Sequence, residues 1–248
     1  MKKNIKLGFT LAEALMAMAI AGVIAALVMP PLISGTQNRK HAAALGRSVE
    51  AIESGCQLLM QDASEKTDDG EFFGHSNITL HDIGLIGSAN VVDNSALFTN
   101  ASDSKYFNVI PLTAAQKSNY ESSVKTLSGT GSLSPSLSSI VANYAKSQKL
   151  GAYYGVLKLN QSVINQQNEN DPIVEYIYID TNGENSPNRY GIDIYLFGLT
   201  DACHMIPAGT AKMKNLTGVP EENSGCPKNG LSCTARVVKD GYKINYKK

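Results

Sequence analysis

No sign of charge prevails in this sequence. Across 248 residues, 22 Lys and Arg stand against 22 Asp and Glu, for a formal net charge of zero. The electrostatic case for a nucleic-acid binder is therefore missing, because a basic excess is what supplies phosphate contacts. Also missing are a Walker motif, a G-x-G-x-x-G fingerprint and any C-x₂-C pair, so nucleotide cradles and zinc ribbons have no support. The four histidines, His41, His75, His81 and His204, are scattered and build no Ser/His/Asp set. Nothing speaks for an enzyme. With 43% hydrophobic and 18% charged residues, the chain is neither disordered nor polytopic.

Those averages conceal two kinds of segment. Met1 to Gly8 carry Lys2, Lys3 and Lys6 with no acid, and Phe9 to Ile33 form an apolar run whose only charge is Glu13. Such a run is long enough to cross a hydrocarbon core of ~30 Å as a helix. The basic leader favours a cytoplasmic N-terminus, with the rest of the chain facing outward. No Ala-x-Ala cleavage pattern follows the run, so a plain signal anchor is the simplest account. Glu13 is unexplained by anchoring, since an ionisable group in such a segment usually has a partner.

Gly8-Phe9-Thr10-Leu11-Ala12-Glu13, after a lysine-rich leader and before an uninterrupted apolar helix, resembles the type III signal of type IV prepilins and type II secretion pseudopilins. The resemblance covers about the first 30 residues. It implies a cut between Gly8 and Phe9 by prepilin peptidase, and N-methylation of Phe9. It also implies an assembly role in which Glu13 pairs with the Phe9 amine of a neighbouring subunit. Pro30 is similar to the family's helix-breaking proline, and Pro31 adds to it; both are candidate kink positions. The cut would remove three lysines from 22, leaving 19 basic against 22 acidic residues.

Beyond the apolar run, Leu45, Val49, Ile52, Cys56 and Leu59 recur at steps of four and three, one stripe of an amphipathic helix. Residues 64 to 135 are rich in Ser, Asn, Asp and Gly and read as a loop-rich connection. Ser134 to Tyr144 reads as a capped helix. Strands are expected at Ala152–Leu159, Ile173–Ile179 and Tyr190–Phe197, and from Cys233 through Val238 with a turn at Asp240-Gly241 and a continuation to Tyr246. In Ile173–Ile179, Ile173, Ile177 and Ile179 are expected on one face. The expected fold is α+β, with a long N-terminal helix packed on an antiparallel sheet, pilin-like as the resemblance implies. It divides into a leader (1–8), a transmembrane or assembly helix (9–33), the amphipathic half of the long helix (34–63) and a globular head (64–248).

Two constellations could carry chemistry. Asp180, Asn182, Glu184 and Asp193 are oxygen donors that can gather around calcium, although their spacing is not that of an EF-hand; a hairpin turn is the competing account. Calcium is the one cofactor these residues suggest. The even cysteine count, on a segment placed outside the cytoplasm, favours disulfides among Cys56, Cys203, Cys226 and Cys233. Three pairings are open: a short Cys226–Cys233 staple would leave Cys56 and Cys203 to fasten helix to head, while Cys56 also suits a packed free thiol. A C-terminal disulfide loop is common in heads of the family it resembles.

The resemblance implies a structural subunit of a type IV pilus-like or type II secretion pseudopilus filament. Its expected partners are identical or related subunits, the prepilin peptidase and the inner-membrane assembly platform, with no nucleic acid expected. It would span the inner membrane once, N-terminus inside, before entering a periplasmic or cell-surface filament. The head is large for a simple major subunit. The alternative is a membrane-anchored binding module, an adhesin or a DNA-uptake minor pilin.

Overall fold

A computed structural model describes residues 10–65, 106–129, 141–157, 173–200, 202–210, 213, 226, 230–244 and 246. The chain divides into two compact units, one up to Lys40 and one from His41 onward. Helix α1 spans Leu11–Glu65, and its helical backbone continues through Pro30 and Pro31.

In the first unit, the stretch Leu11–Met29 has a mean hydropathy of 2.3 and none of it is buried. At 1.5 Å per residue it is about 28 Å long, close to the thickness of a hydrocarbon core. By length and composition it is able to cross a membrane.

The second unit is built on a six-stranded antiparallel sheet whose spatial order repeats the chain order. The strands are β1 (Val109–Pro111), β2 (Val141–Ser147), β3 (Tyr153–Leu157), β4 (Ile173–Asp180), β5 (Ile194–Thr200) and β6 (Met205–Pro207). Helix α2 (Ala114–Ser123) lies between β1 and β2 in sequence, and α3 (Cys233–Lys239) follows β6. Side chains alternate across a pleated strand, and both faces of this sheet are covered. On one face, Tyr154, Val156, Ile177, Ile179, Phe197 and Leu199 join the α1 stripe of Leu45, Val49, Ile52, Cys56 and Leu59. On the other, Tyr144, Tyr153, Tyr178 and Leu196 pack with Tyr120 of α2. This is why β3 and β5 are buried at every position, where a one-sided sheet would show alternation.

Backbone proximity fixes α1 in place. A Cβ on Gly55 would lie 2.7 Å from the Phe107 ring and 2.9 Å from the Tyr106 carbonyl, so only glycine permits this approach. Glu53 accepts the Met205 amide at 2.8 Å, which ties α1 to the edge strand β6.

Several expected elements differ. Cys233–Lys239 is a helix, not a strand: Cys233, Thr234 and Val237 are its buried residues, the three-to-four spacing of a helical face. Val141 and Tyr144 lie in β2, where pairing to β1 and β3 overrides the helical pattern; Ser134 to Ile140 are outside the described residues. The third expected strand starts four residues late, at Ile194, because Asp180 to Asp193 is consumed by a turn. Ile173 does not share a face with Ile177 and Ile179. An irregularity between Ile173 and Glu175 shifts the register and turns Ile173 to the other core. Within the expected loop-rich connection, residues 106–129 hold β1 and α2.

Candidate functional site

The N-terminal candidate starts at a capping box. The Thr10 amide and hydroxyl donate to Glu13 Oε2 at 2.9 and 2.8 Å. In return the Glu13 amide donates to Thr10 Oγ1 at 3.3 Å. The first helical bond, from the Ala14 amide to the Thr10 carbonyl, is 3.1 Å. This reciprocal arrangement satisfies donors that a helix start otherwise leaves open, and T-x-x-E is its sequence signature. The spacing of Thr10 and Glu13 carries that signature in the sequence, alongside the assembly role that the family resemblance implies for Glu13. Past it, the apolar side chains stand exposed, Leu11 at 80% and Leu27 at 72%, which no water-facing helix sustains without a covering. Gly8 and Phe9 lie outside the described residues.

The second candidate is the turn from Asp180 to Asp193. Asp180 Oδ1 accepts the amides of Asn182 at 3.0 Å and Gly183 at 2.9 Å, and its Oδ2 accepts the Tyr120 hydroxyl at 2.5 Å. Tyr120 in turn is hydrogen-bonded to the Tyr178 hydroxyl. Asp193 accepts the Asn188 amide at 2.8 Å and the Arg189 amide at 2.6 Å, one on each oxygen. Two carboxylates thus fold the two ends of the turn around themselves. Asn182 donates to the carbonyls of Asn185 and Ser186. Glu184 accepts the Tyr153 hydroxyl. Gly183 has φ +61°, and a Cβ there would meet the Gly151 carbonyl at 2.7 Å.

Both aspartates are fully buried. Burial raises the Asp180 carboxyl well above the ordinary range, and the nearby Asp193 charge adds to the rise. Burial pushes Asp193 up to about 6, against the pull of the Arg189 and Asn188 amides. Among the described residues, no three His, Cys, Asp or Glu side chains converge as a metal cluster. The four expected calcium donors are brought into one turn, where main-chain amides and tyrosine hydroxyls already occupy the carboxylates.

The cysteines pair as Cys56–Cys203 and Cys226–Cys233, and none is free. The first joins α1 to the residues just after β5 and closes a separation of 147 residues; the second spans seven.

With this geometry in place, the comparison with family models is decisive for the N-terminus. Residues 3–29 match the prokaryotic N-terminal methylation motif. That is the type IV pilin and pseudopilin signal. The matched stretch takes in the Thr10–Glu13 capping box and ends where the exposed apolar segment of α1 ends. The signal supports a type IV pilin-like or pseudopilin protein. Its combination with the apolar helix fits a membrane-anchored pilin. No curated protein and no solved structure matches the chain.

Proposed function

We propose that this chain is a structural subunit of a type IV pilus-like or type II secretion pseudopilus filament. In this reading the prepilin peptidase cuts between Gly8 and Phe9, methylates Phe9 and leaves the apolar part of α1 with the subunit. The observation that carries it is the methylation motif running without a break into an apolar helix of membrane-spanning length. An ordinary secretory signal would lose that helix. The subunit first spans the inner membrane once with its N-terminus inside, then enters a periplasmic or cell-surface filament through the assembly platform. Glu13 and the Phe9 amine of a neighbour form the register pair, since opposite charges in a low dielectric attract strongly and are costly when parted.

The test is mass spectrometry of the protein recovered from membranes. The expected N-terminus is N-methylphenylalanine at Phe9, with the chain continuous through Ile33. An intact Met1, or a cut beyond the apolar run, overturns the reading.

A further inference from the structure

The Cys56–Cys203 bridge is closed off from solvent, and a third sulfur takes part in closing it. Both cysteines are completely buried. Met60 follows Cys56 by about one helical turn on α1, and its thioether Sδ lies against Cys203 Sγ at 3.0 Å. Met60 packs on the core yet is only half-buried, so it extends from the bridge to the surface. The other described methionines of the head, Met205 and Met213, are 7% and 1% exposed. Covering a disulfide does not require sulfur, because leucine fills nearly the same volume. What sulfur adds is chemistry: a thioether takes up an oxygen atom and turns from apolar to polar.

We propose that Met60 is an oxidisable cover for the Cys56–Cys203 bridge: a peroxide converts its thioether to the sulfoxide, which opens the Cys203 sulfur to thiols. In the first step a lone pair on Met60 Sδ attacks one oxygen of hydrogen peroxide. The O–O bond breaks, an S–O bond forms, and the departing hydroxide takes up the proton and leaves as water. The thioether loses two electrons and the peroxide gains them. The new oxygen is a strong acceptor set against apolar atoms, and hydration draws it off the core. A thiolate then attacks Cys203 Sγ, forms a mixed disulfide and expels Cys56 as a thiolate. The second bridge is the internal control, since Cys226–Cys233 packs with Leu127, Ile192 and Tyr246 instead of a methionine. Neither step depends on the filament reading above.

The test compares full-length wild type, Met60→Leu and Met60→Ala in detergent, each untreated or exposed to hydrogen peroxide that is then removed. Peptide mass spectrometry scores oxidation at every methionine, and dithiothreitol with timed alkylation scores the reduction of each bridge. Met60 is expected to oxidise well before Met205 and Met213. In oxidised wild type, Cys56–Cys203 should be reduced about tenfold faster than in untreated protein, the gain in opening that an unpaired polar atom against the core brings. Cys226–Cys233 should keep its rate. Met60→Leu retains the cover without the sulfur and should match untreated wild type with or without peroxide, although Met16, Met18 and Met29 remain open to the oxidant. Met60→Ala removes the cover and should speed reduction of Cys56–Cys203 with no peroxide at all. The assignment is overturned if Met60 resists peroxide as Met205 and Met213 do, or if its sulfoxide leaves the rate unchanged. It is equally overturned if Met60→Leu responds as wild type does, if Met60→Ala is reduced no faster, or if both bridges accelerate together. The wild-type arms need no variant, so a Met60→Ala chain that misfolds leaves the decision to them.

Discussion

Asp180 and Asp193 reverse the usual dependence of stability on pH. Both carboxyls are raised in the folded head, so the native state binds more protons than the unfolded chain at mildly acidic pH. Their contribution is therefore fully present below the ordinary aspartate value of about 3.9 and is lost as pH rises through about 6 for Asp193. Urea unfolding should show the head more stable at pH 4.5 than at pH 7.5, by roughly 1–3 kcal/mol from this pair. Asp180→Asn should flatten that slope, and an unchanged slope would remove the pair from the account. The tyrosines around Asp180 separate in the same assay. Tyr120→Phe strips the carboxylate of its hydroxyl donor and should cost about 1–3 kcal/mol, whereas the buried Tyr144 hydroxyl has no hydrogen-bond partner among the described residues, so Tyr144→Phe should be close to neutral. With the carboxylates already engaged, added calcium should leave the melting temperature within about 1 °C, a shift worth a few tenths of a kcal/mol. A larger rise that Asp180→Asn abolishes would give the turn to a cation.

Elements were legible where one period governed the residues. The α1 stripe shows because Leu45 to Leu59 keep a helical spacing and end up buried on one side. Ile173–Ile179 reads as a strand because its β-branched and aromatic residues admit little else. Legibility fails where a partner decides. Val141 and Tyr144 carry an ambiguous pattern, and pairing of Tyr144 opposite Gly155 settles them as strand. Val237 and Val238 suggest a strand, yet the disulfide at Cys233 and the Arg236–Asp240 contact at 3.9 Å accompany a helix. The site followed the same rule: Gly8 to Glu13 could be read as a motif, whereas the Tyr120 hydroxyl that closes off Asp180 comes from α2, far off in sequence. The disulfides should differ in weight. Closing 147 residues restrains the unfolded chain more than closing seven, so the paired Cys56→Ser, Cys203→Ser variant should lose about 3–5 kcal/mol. The paired Cys226→Ser, Cys233→Ser variant should lose less, about 2–3 kcal/mol, and denaturant midpoints would rank them. Equal losses would mean that native packing, not loop length, sets the effect.

For the whole molecule, the two units divide the work: an exposed apolar helix that needs lipid or sister helices, and a head whose core is complete around the second half of α1. Glu13→Ala touches only the first. The variant should fractionate with membranes and unfold like the wild type by head fluorescence or circular dichroism. Its recovery in filaments should nevertheless fall at least tenfold, a loss read by immunoblot of sheared material. Unchanged filaments would remove the charge from assembly.

The Cys56–Cys203 bond also decides where tension travels. A pull applied at the start of α1 and resisted at the C-terminus runs along the chain to Cys56, crosses the sulfur bridge and resumes at Cys203. Everything between is bypassed, and that interval holds β1 through β5, all of the sheet except its last edge. About 500 Å of extended chain is withheld from stretching at 3.4 Å per residue. With the bridge closed, only β6 and α3 remain on the covalent path beyond Cys203, and β1 to β5 lie inside the bypassed loop.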